Sequence, residues 1–121
     1  MKPFPPLDQL AFLIGAEVTN VTLQPYHVDF RFEDGTLLVV EHGLEYIDEQ
    51  GRASAYDPQQ RLASHSVSFH ALILDRIAQV HVEAFRLALV FESGRQLVVL
   101  SKSGPYESGH IGRKDKGLII F

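Results

Sequence analysis

The segment LIGAEVTNVTLQPYHVDFRFEDGTLLVV, residues 13–40, recurs without a gap as LILDRIAQVHVEAFRLALVFESGRQLVV, residues 72–99. Two copies of one supersecondary unit therefore make up this chain. Nine of the twenty-eight aligned positions are identical, among them Phe32/Phe91, Glu33/Glu92, Gly35/Gly94 and the Leu-Val-Val runs at 38–40 and 97–99. The pairs Val18/Ile77, Leu23/Val82, Tyr26/Phe85, Val28/Leu87 and Phe30/Leu89 keep the apolar character of each position. What is shared is a packing pattern, which specifies a fold and not a chemistry.

Within each copy a period-2 alternation dominates: Val21, Leu23, then Tyr26, Val28, Phe30, Phe32, matched by Val80, Val82, then Phe85, Leu87, Leu89, Phe91. Such spacing predicts strands with one buried face. The step lengthens from two to three between Leu23 and Tyr26 and between Val82 and Phe85, so a turn or bulge is expected there. Asp34-Gly35 and Ser93-Gly94 predict two-residue hairpin turns, with glycine supplying a positive φ. Leu37–Val40 and Leu97–Leu100 are apolar on both faces and are expected in the middle of a sheet. Residues 47–55 read as a solvated connection between the copies. Tyr106–Ile111 and Leu118–Phe121 read as a last hairpin whose basic tip, including Arg113, Lys114 and Lys116, faces water.

A short helix is expected to open each unit, because Leu10, Leu13, Ile14 and Phe69, Leu72, Ile73 keep an i, i+3, i+4 spacing. Asp57-Pro58-Gln59-Gln60 resembles a helix start, with an Asp cap, Pro at the first position and Gln three after the cap. The hydroxyl-rich stretch Ser64–Ser68 opposes helix and predicts a break near Ser66. The expected fold class is α+β: two pseudo-symmetric helix–antiparallel β units sharing one twisted sheet or half-barrel. Residues 1–121 then form a single domain of two internal repeats, about 1–56 and 57–121, because halves of ~60 residues bury too little surface to stand alone.

Composition narrows the function classes. Eleven Lys and Arg against fifteen Asp and Glu give a formal charge of −4, so no global basic field favours nucleic acid. The absence of cysteine removes disulfides, zinc-thiolate sites and cysteine nucleophiles. The apolar run Leu10–Ala16 after Lys2 and three prolines imitates a signal peptide poorly, and Leu13-Ile14 recurs as Leu72-Ile73 inside the second copy. With no run of eighteen apolar residues, no helix is expected to span a bilayer, and a cytoplasmic location is the default expectation.

The helix ending Leu13-Ile14-Gly15 before a Val-rich strand, the hairpins Phe32–Gly35 and Phe91–Gly94, and Tyr106-Glu107 before an apolar last strand resemble a small bacterial family of uncharacterised, duplicated α+β proteins. That family commonly carries a bulky aromatic two residues after Tyr-Glu, where this chain has Gly109. By analogy, small proteins of this kind resemble the immunity partners that neutralise bacterial toxins. The resemblance implies no cofactor and assigns no catalytic residue.

The chemistry-bearing residues fall into a few groups. His27, Asp29 and Arg31 share one strand face and His81 and Glu83 another, so His27, Asp29, His81 and Glu83 are candidate metal ligands; a solvated face of an antiparallel strand has the same pattern. His65 and His70 are five apart and cannot chelate together on a continuous helix. Tyr106, Glu107 and His110 supply a hydroxyl, an acid and a base, although Glu107 and His110 are oddly spaced on a strand. No phosphate loop, nucleophile elbow or zinc-protease helix is present. The face carrying Arg86, Ala88 and Val90 is more apolar than its equivalent His27, Asp29, Arg31, which predicts a cover: the Asp57–Leu74 helix, another part of the chain, or a second subunit. The expected function is non-catalytic binding of a basic protein partner through Asp48, Glu49, Asp57, Tyr106 and Glu107. The alternatives are a small metal- or ligand-binding enzyme and a structural homodimer.

Overall fold

The computed structural model describes residues 3–102, 104–113 and 116–121; the expectations for Lys2 and Lys114 lie outside them. The chain is mostly β, with 48% strand and 9% helix, arranged as two antiparallel sheets. The α+β expectation of helix–sheet units on one sheet is thereby overturned. The strands are β1 (Val18–Leu23), β2 (Val28–Phe32), β3 (Leu37–Val40), β4 (Gly43–Ile47), β5 (Ala53–Asp57), β6 (Leu62–Ala63), β7 (Ile77–Glu83), β8 (Arg86–Phe91), β9 (Gln96–Leu100), β10 (Gly109–Arg113) and β11 (Gly117–Ile120). One sheet has the order β1-β2-β3-β10-β11 and the other β6-β5-β4-β9-β8-β7.

The order reveals an exchange. Each repeat contributes a three-strand meander, β1-β2-β3 or β7-β8-β9, and then sends its following strands into the other sheet. Thus β10 pairs with β3, from Gly109↔Val40 to Gly112↔Leu37, while β4 pairs with β9, from Gly43↔Leu100 to Ile47↔Gln96. β3 and β9 become interior strands, as their two-sided apolar runs require. The inward residues Phe30, Leu38 and Ile111 of one sheet and Leu44, Leu87, Leu89, Leu97 and Val99 of the other belong to one buried cluster. Phe69 joins the two, meeting Phe30 on one sheet and Tyr46 and Tyr56 on the other edge-to-face.

The helix expectations fail for physical reasons. Among the described residues only Leu7–Leu10 is α-helical, followed by a 3-10 turn at Ala11–Leu13; the second copy has a 3-10 turn alone, Phe69–Leu72. Segments this short gain too little from helix propagation to offset nucleation, so packing sets their length. Leu10, Leu13, Phe69 and Leu72 do bury, whereas Ile14, beyond the turn, stays about half exposed. Asp57 caps no helix: its Oδ1 accepts the Gln59 backbone N–H at 2.9 Å, closing an Asx turn into β6. The hydroxyls of Ser54 and Ser64 then tie Ser64–His65 to β5, with Ser54 Oγ donating to His65 O at 2.8 Å and Ser64 Oγ accepting from Ala55 N–H at 2.9 Å. Hydroxyls satisfying backbone groups outside a helix are what the serine-rich stretch foretold. No Asp57–Leu74 helix exists to cover the Arg86–Val90 face, although Ala88 and Val98 on that face are already buried in the single chain.

Other expectations are refined. The step at Leu23–Tyr26 is a turn between β1 and β2, and that at Val82–Phe85 a turn between β7 and β8; the register shifts lie earlier, at Val18/Asn20 and Ile77/Gln79. The hairpins at Gly35 and Gly94 have three-residue loops. Gly35 N–H donates to Phe32 O and Phe32 N–H to Thr36 O, with the same pattern at Gly94, Phe91 and Arg95. Of the expected connection over residues 47–55 only residues 48–52 are a turn, the tip of the β4–β5 hairpin; Ile47 and residues 53–55 pair as strands. At the last hairpin the Arg113 guanidinium lies over the Phe12 ring, 3.8 Å from its centroid. Gly109 leaves no room for a side chain: a Cβ there would sit 2.2 Å from Val39 O.

A pseudo-twofold axis relates the copies. Gly15 N–H donates to Ile77 O and its equivalent Leu74 N–H to Val18 O, both at 2.7 Å; Val18 N–H to Asp75 O and Ile77 N–H to Ala16 O form the second such pair. Glu17 and Arg76 are copy-equivalents, and they bridge to each other. A homotypic contact of like charges would repel, but here Arg76 Nη2 pairs with Glu17 at 3.0 Å and Nη1 with Glu33 at 3.2 Å. Arg76→Glu should cost about 1 kcal/mol, a value limited by partial exposure, and adding Glu17→Arg should recover most of it. Strictly additive losses in urea denaturation would refute this account of the axis.

At the position where Gly15 has φ +90°, its equivalent Leu74 has φ +71° and is 73% exposed. A left-handed leucine is strained and here buries little in return. Leu74→Gly is expected to stabilise the chain by about 0.5–1 kcal/mol, the relief of strain exceeding glycine's entropy cost, and to raise the melting temperature by a few degrees. An unchanged or lower melting temperature would contradict it.

Candidate functional site

The exchange forces two chain crossings at one end of the molecule. Residues 41–42 carry the chain from β3 to β4, and residues 101–108 carry it from β9 to β10. They meet at Ser108, whose carbonyl accepts the Glu41 and His42 backbone N–H groups at 2.9 and 3.1 Å. Ser108 Oγ in turn accepts the Lys102 N–H at 3.2 Å and lies 3.4 Å from Ser101 Oγ. The β5–β6 turn is fastened to the same end: Gln59 Nε2 donates to Tyr26 O and Glu41 O, and Arg61 donates to Pro25 O while lying over the Tyr26 ring.

This scaffold positions the polar side chains. His110 stands opposite Val39 in the β3–β10 register, and Glu41 follows Val39 by two, so both side chains share the sheet's outer face. Glu107 joins them, and one ligand atom from each of Glu41, Glu107 and His110 lies within 4.8 Å of the other two. Beside them His42 is half-buried; burial lowers its pKa below the ordinary histidine value, the Lys102 charge lowers it further, and Asp57 opposes both. Tyr106 is 83% exposed and Glu107 is also exposed.

The four candidate ligands read from the strands are not brought together. His27 Nδ1 and Asp29 Oδ1 bond to each other at 2.5 Å at the start of β2, on the five-stranded sheet. His81 meets Gln79 at 3.1 Å on β7, and Glu83 lies 3.9 Å from Arg86, both on the six-stranded sheet. His65 and His70 are separated by the expected break. His65 lines a cleft of about 500 Å³ with Asp48, Arg52, Ala53, Ser54 and Ser66, and His70 a groove of about 230 Å³ with Val21, Leu23, Phe69 and Ile73. Among the described residues no fully buried side-chain nitrogen or oxygen lacks a partner, so no orphaned polar group points into a cleft.

The five expected partner-binding residues divide between the two ends. Asp57, Tyr106 and Glu107 lie at the crossing end; Asp48 and Glu49 lie at the far tip of the β4–β5 hairpin, where they serve the fold. Glu49 pairs with Arg95, which also approaches Asp75. Asp48 accepts the backbone N–H groups of Gln50 and Arg52 and the Arg52 Nε–H. The sequence reading missed Glu41 and His42. The available signal was the loss of repeat identity just after Leu-Val-Val, where Glu41 and His42 stand opposite Leu100 and Ser101.

No protein family, curated protein or solved structure matches this chain. Among the described residues no helix is long and apolar enough to cross a membrane.

The Asp48 carboxyl titrates below the ordinary carboxylate range, chiefly because the Arg52 backbone N–H bonds its charged form; desolvation is the next largest influence and opposes it, and the Arg52 side chain and Gln50 N–H lower it further. A depressed folded-state pKa contributes stability above about pH 4, lost as pH falls through the lower folded value. Asp48→Asn should therefore be less stable than the native chain at pH 7 in urea denaturation, and the difference should shrink as pH falls through the acid range. A difference independent of pH would refute this role.

Proposed function

We propose that this protein is a non-catalytic binding protein, of the kind that includes toxin-immunity partners, and that it meets a protein with a basic patch through the crossing end. The observation that carries this reading is Tyr106, the most exposed large apolar side chain among the described residues at 83%, standing beside exposed Glu107. Tyrosine offers a large contact area at low entropy cost and is a frequent energetic anchor of interfaces. Asp57 and Glu41 lie at the same end, and the net charge of −4 favours encounter with a basic surface.

Affinity capture from the native host tests the reading, with wild type and Tyr106→Ala compared side by side. A basic partner is expected whose affinity falls roughly thirtyfold with Tyr106→Ala, the loss of an anchor residue of about 2 kcal/mol, and whose association slows as salt rises. A partner held equally by both forms would place the interface elsewhere. No partner at physiological salt, even with a toxin encoded beside the gene supplied directly, would count against the function itself.

A further inference from the structure

We propose that Glu41, Glu107 and His110 bind one divalent first-row transition cation, with Zn²⁺ as its natural class of occupant. The three donors come from both chain crossings and the strand that follows, and none is adjacent in sequence to another. Their ligand atoms lie within 4.8 Å of one another, close to the spacing of about 3–4 Å between donors held ~2 Å from a shared metal. Backbone bonds from Glu41 and His42 to Ser108 O fix the strands that carry them, so the convergence belongs to the exchange itself.

Two carboxylates so near each other repel, and among the described residues neither Glu41 nor Glu107 has a Lys, Arg or His nitrogen in an ion pair. A cation between them removes that repulsion. The imidazole decides the class: Ca²⁺ and Mg²⁺ take oxygen shells of six or more, whereas a set that includes an imidazole nitrogen suits Zn²⁺. Three protein ligands and partial exposure leave the remaining positions to water. The site shares Glu41 and Glu107 with the surface of the partner reading, whereas Tyr106 supplies no ligand.

Titration of the full chain with Zn²⁺ by calorimetry should give one site, with Glu41→Gln and His110→Ala each weakening it at least tenfold while apo circular dichroism is unchanged. Tyr106→Ala should bind as wild type does, which separates failure here from failure of the partner reading. Should His110→Ala not fold, His110→Gln carries the same test. Mn²⁺, used as a paramagnetic probe, should broaden the imidazole proton resonances of His110 before those of His81 on the other sheet. The proposal is overturned by absent Zn²⁺ binding, by binding that neither variant weakens, by earlier broadening of His81, or by Ca²⁺ or Mg²⁺ binding more tightly than Zn²⁺.

Discussion

Backbone hydrogen bonding along the inner edges of β3 and β9 governs the rest of the molecule. Both strands are buried, and a strand edge left bare in a core forfeits bonds to water without replacement. Each meander supplies one neighbour for its third strand, β2 for β3 and β8 for β9; the second neighbour, β10 or β4, comes from the opposite repeat. Neither sheet is complete without both halves of the chain. The hydrophobic core is consequently one cluster, and the 3-10 turn of each copy packs near the first strand of the other.

The exchange also separates two chemically distinct ends. At the hairpin-tip end, charged groups are consumed by the fold: Arg76 spans Glu17 and Glu33, Arg95 spans Glu49 and Asp75, and Asp48 closes its own turn. At the crossing end the two copies have diverged, so that Glu41 and His42, bonded to Ser108, stand where the other copy has Leu100 and Ser101. A symmetric backbone thus presents an asymmetric set of side chains, with carboxylates, imidazoles and Tyr106 gathered where the chain passes between sheets.

Much of the local architecture was legible. The alternation in Val28–Phe32 and Leu87–Phe91, the turns before them, the interior character of the Leu-Val-Val runs and the last hairpin all follow from side-chain period and turn chemistry. The helices were overestimated because Asp57-Pro58-Gln59 satisfies an Asx turn as readily as a helix cap; the same carboxylate-to-amide bond serves both. Of the crossing-end cluster, Glu107 and His110 were visible as chemistry-bearing neighbours, but Glu41 was not. Its association with them depends on β3 pairing with β10, a contact between opposite ends of the chain.

By itself the sequence determined the duplication, the three-strand meander within each copy, the buried face of each strand and the absence of thiol chemistry, because each of these is set by composition or by neighbours a few residues apart. Only the tertiary structure decided which strand fills the open edges of β3 and β9. Backbone amides and carbonyls are the same in every strand, so the ladder bonds carry no label of the partner; the packing of the whole core selects it, and with it the residues that meet where the two halves cross.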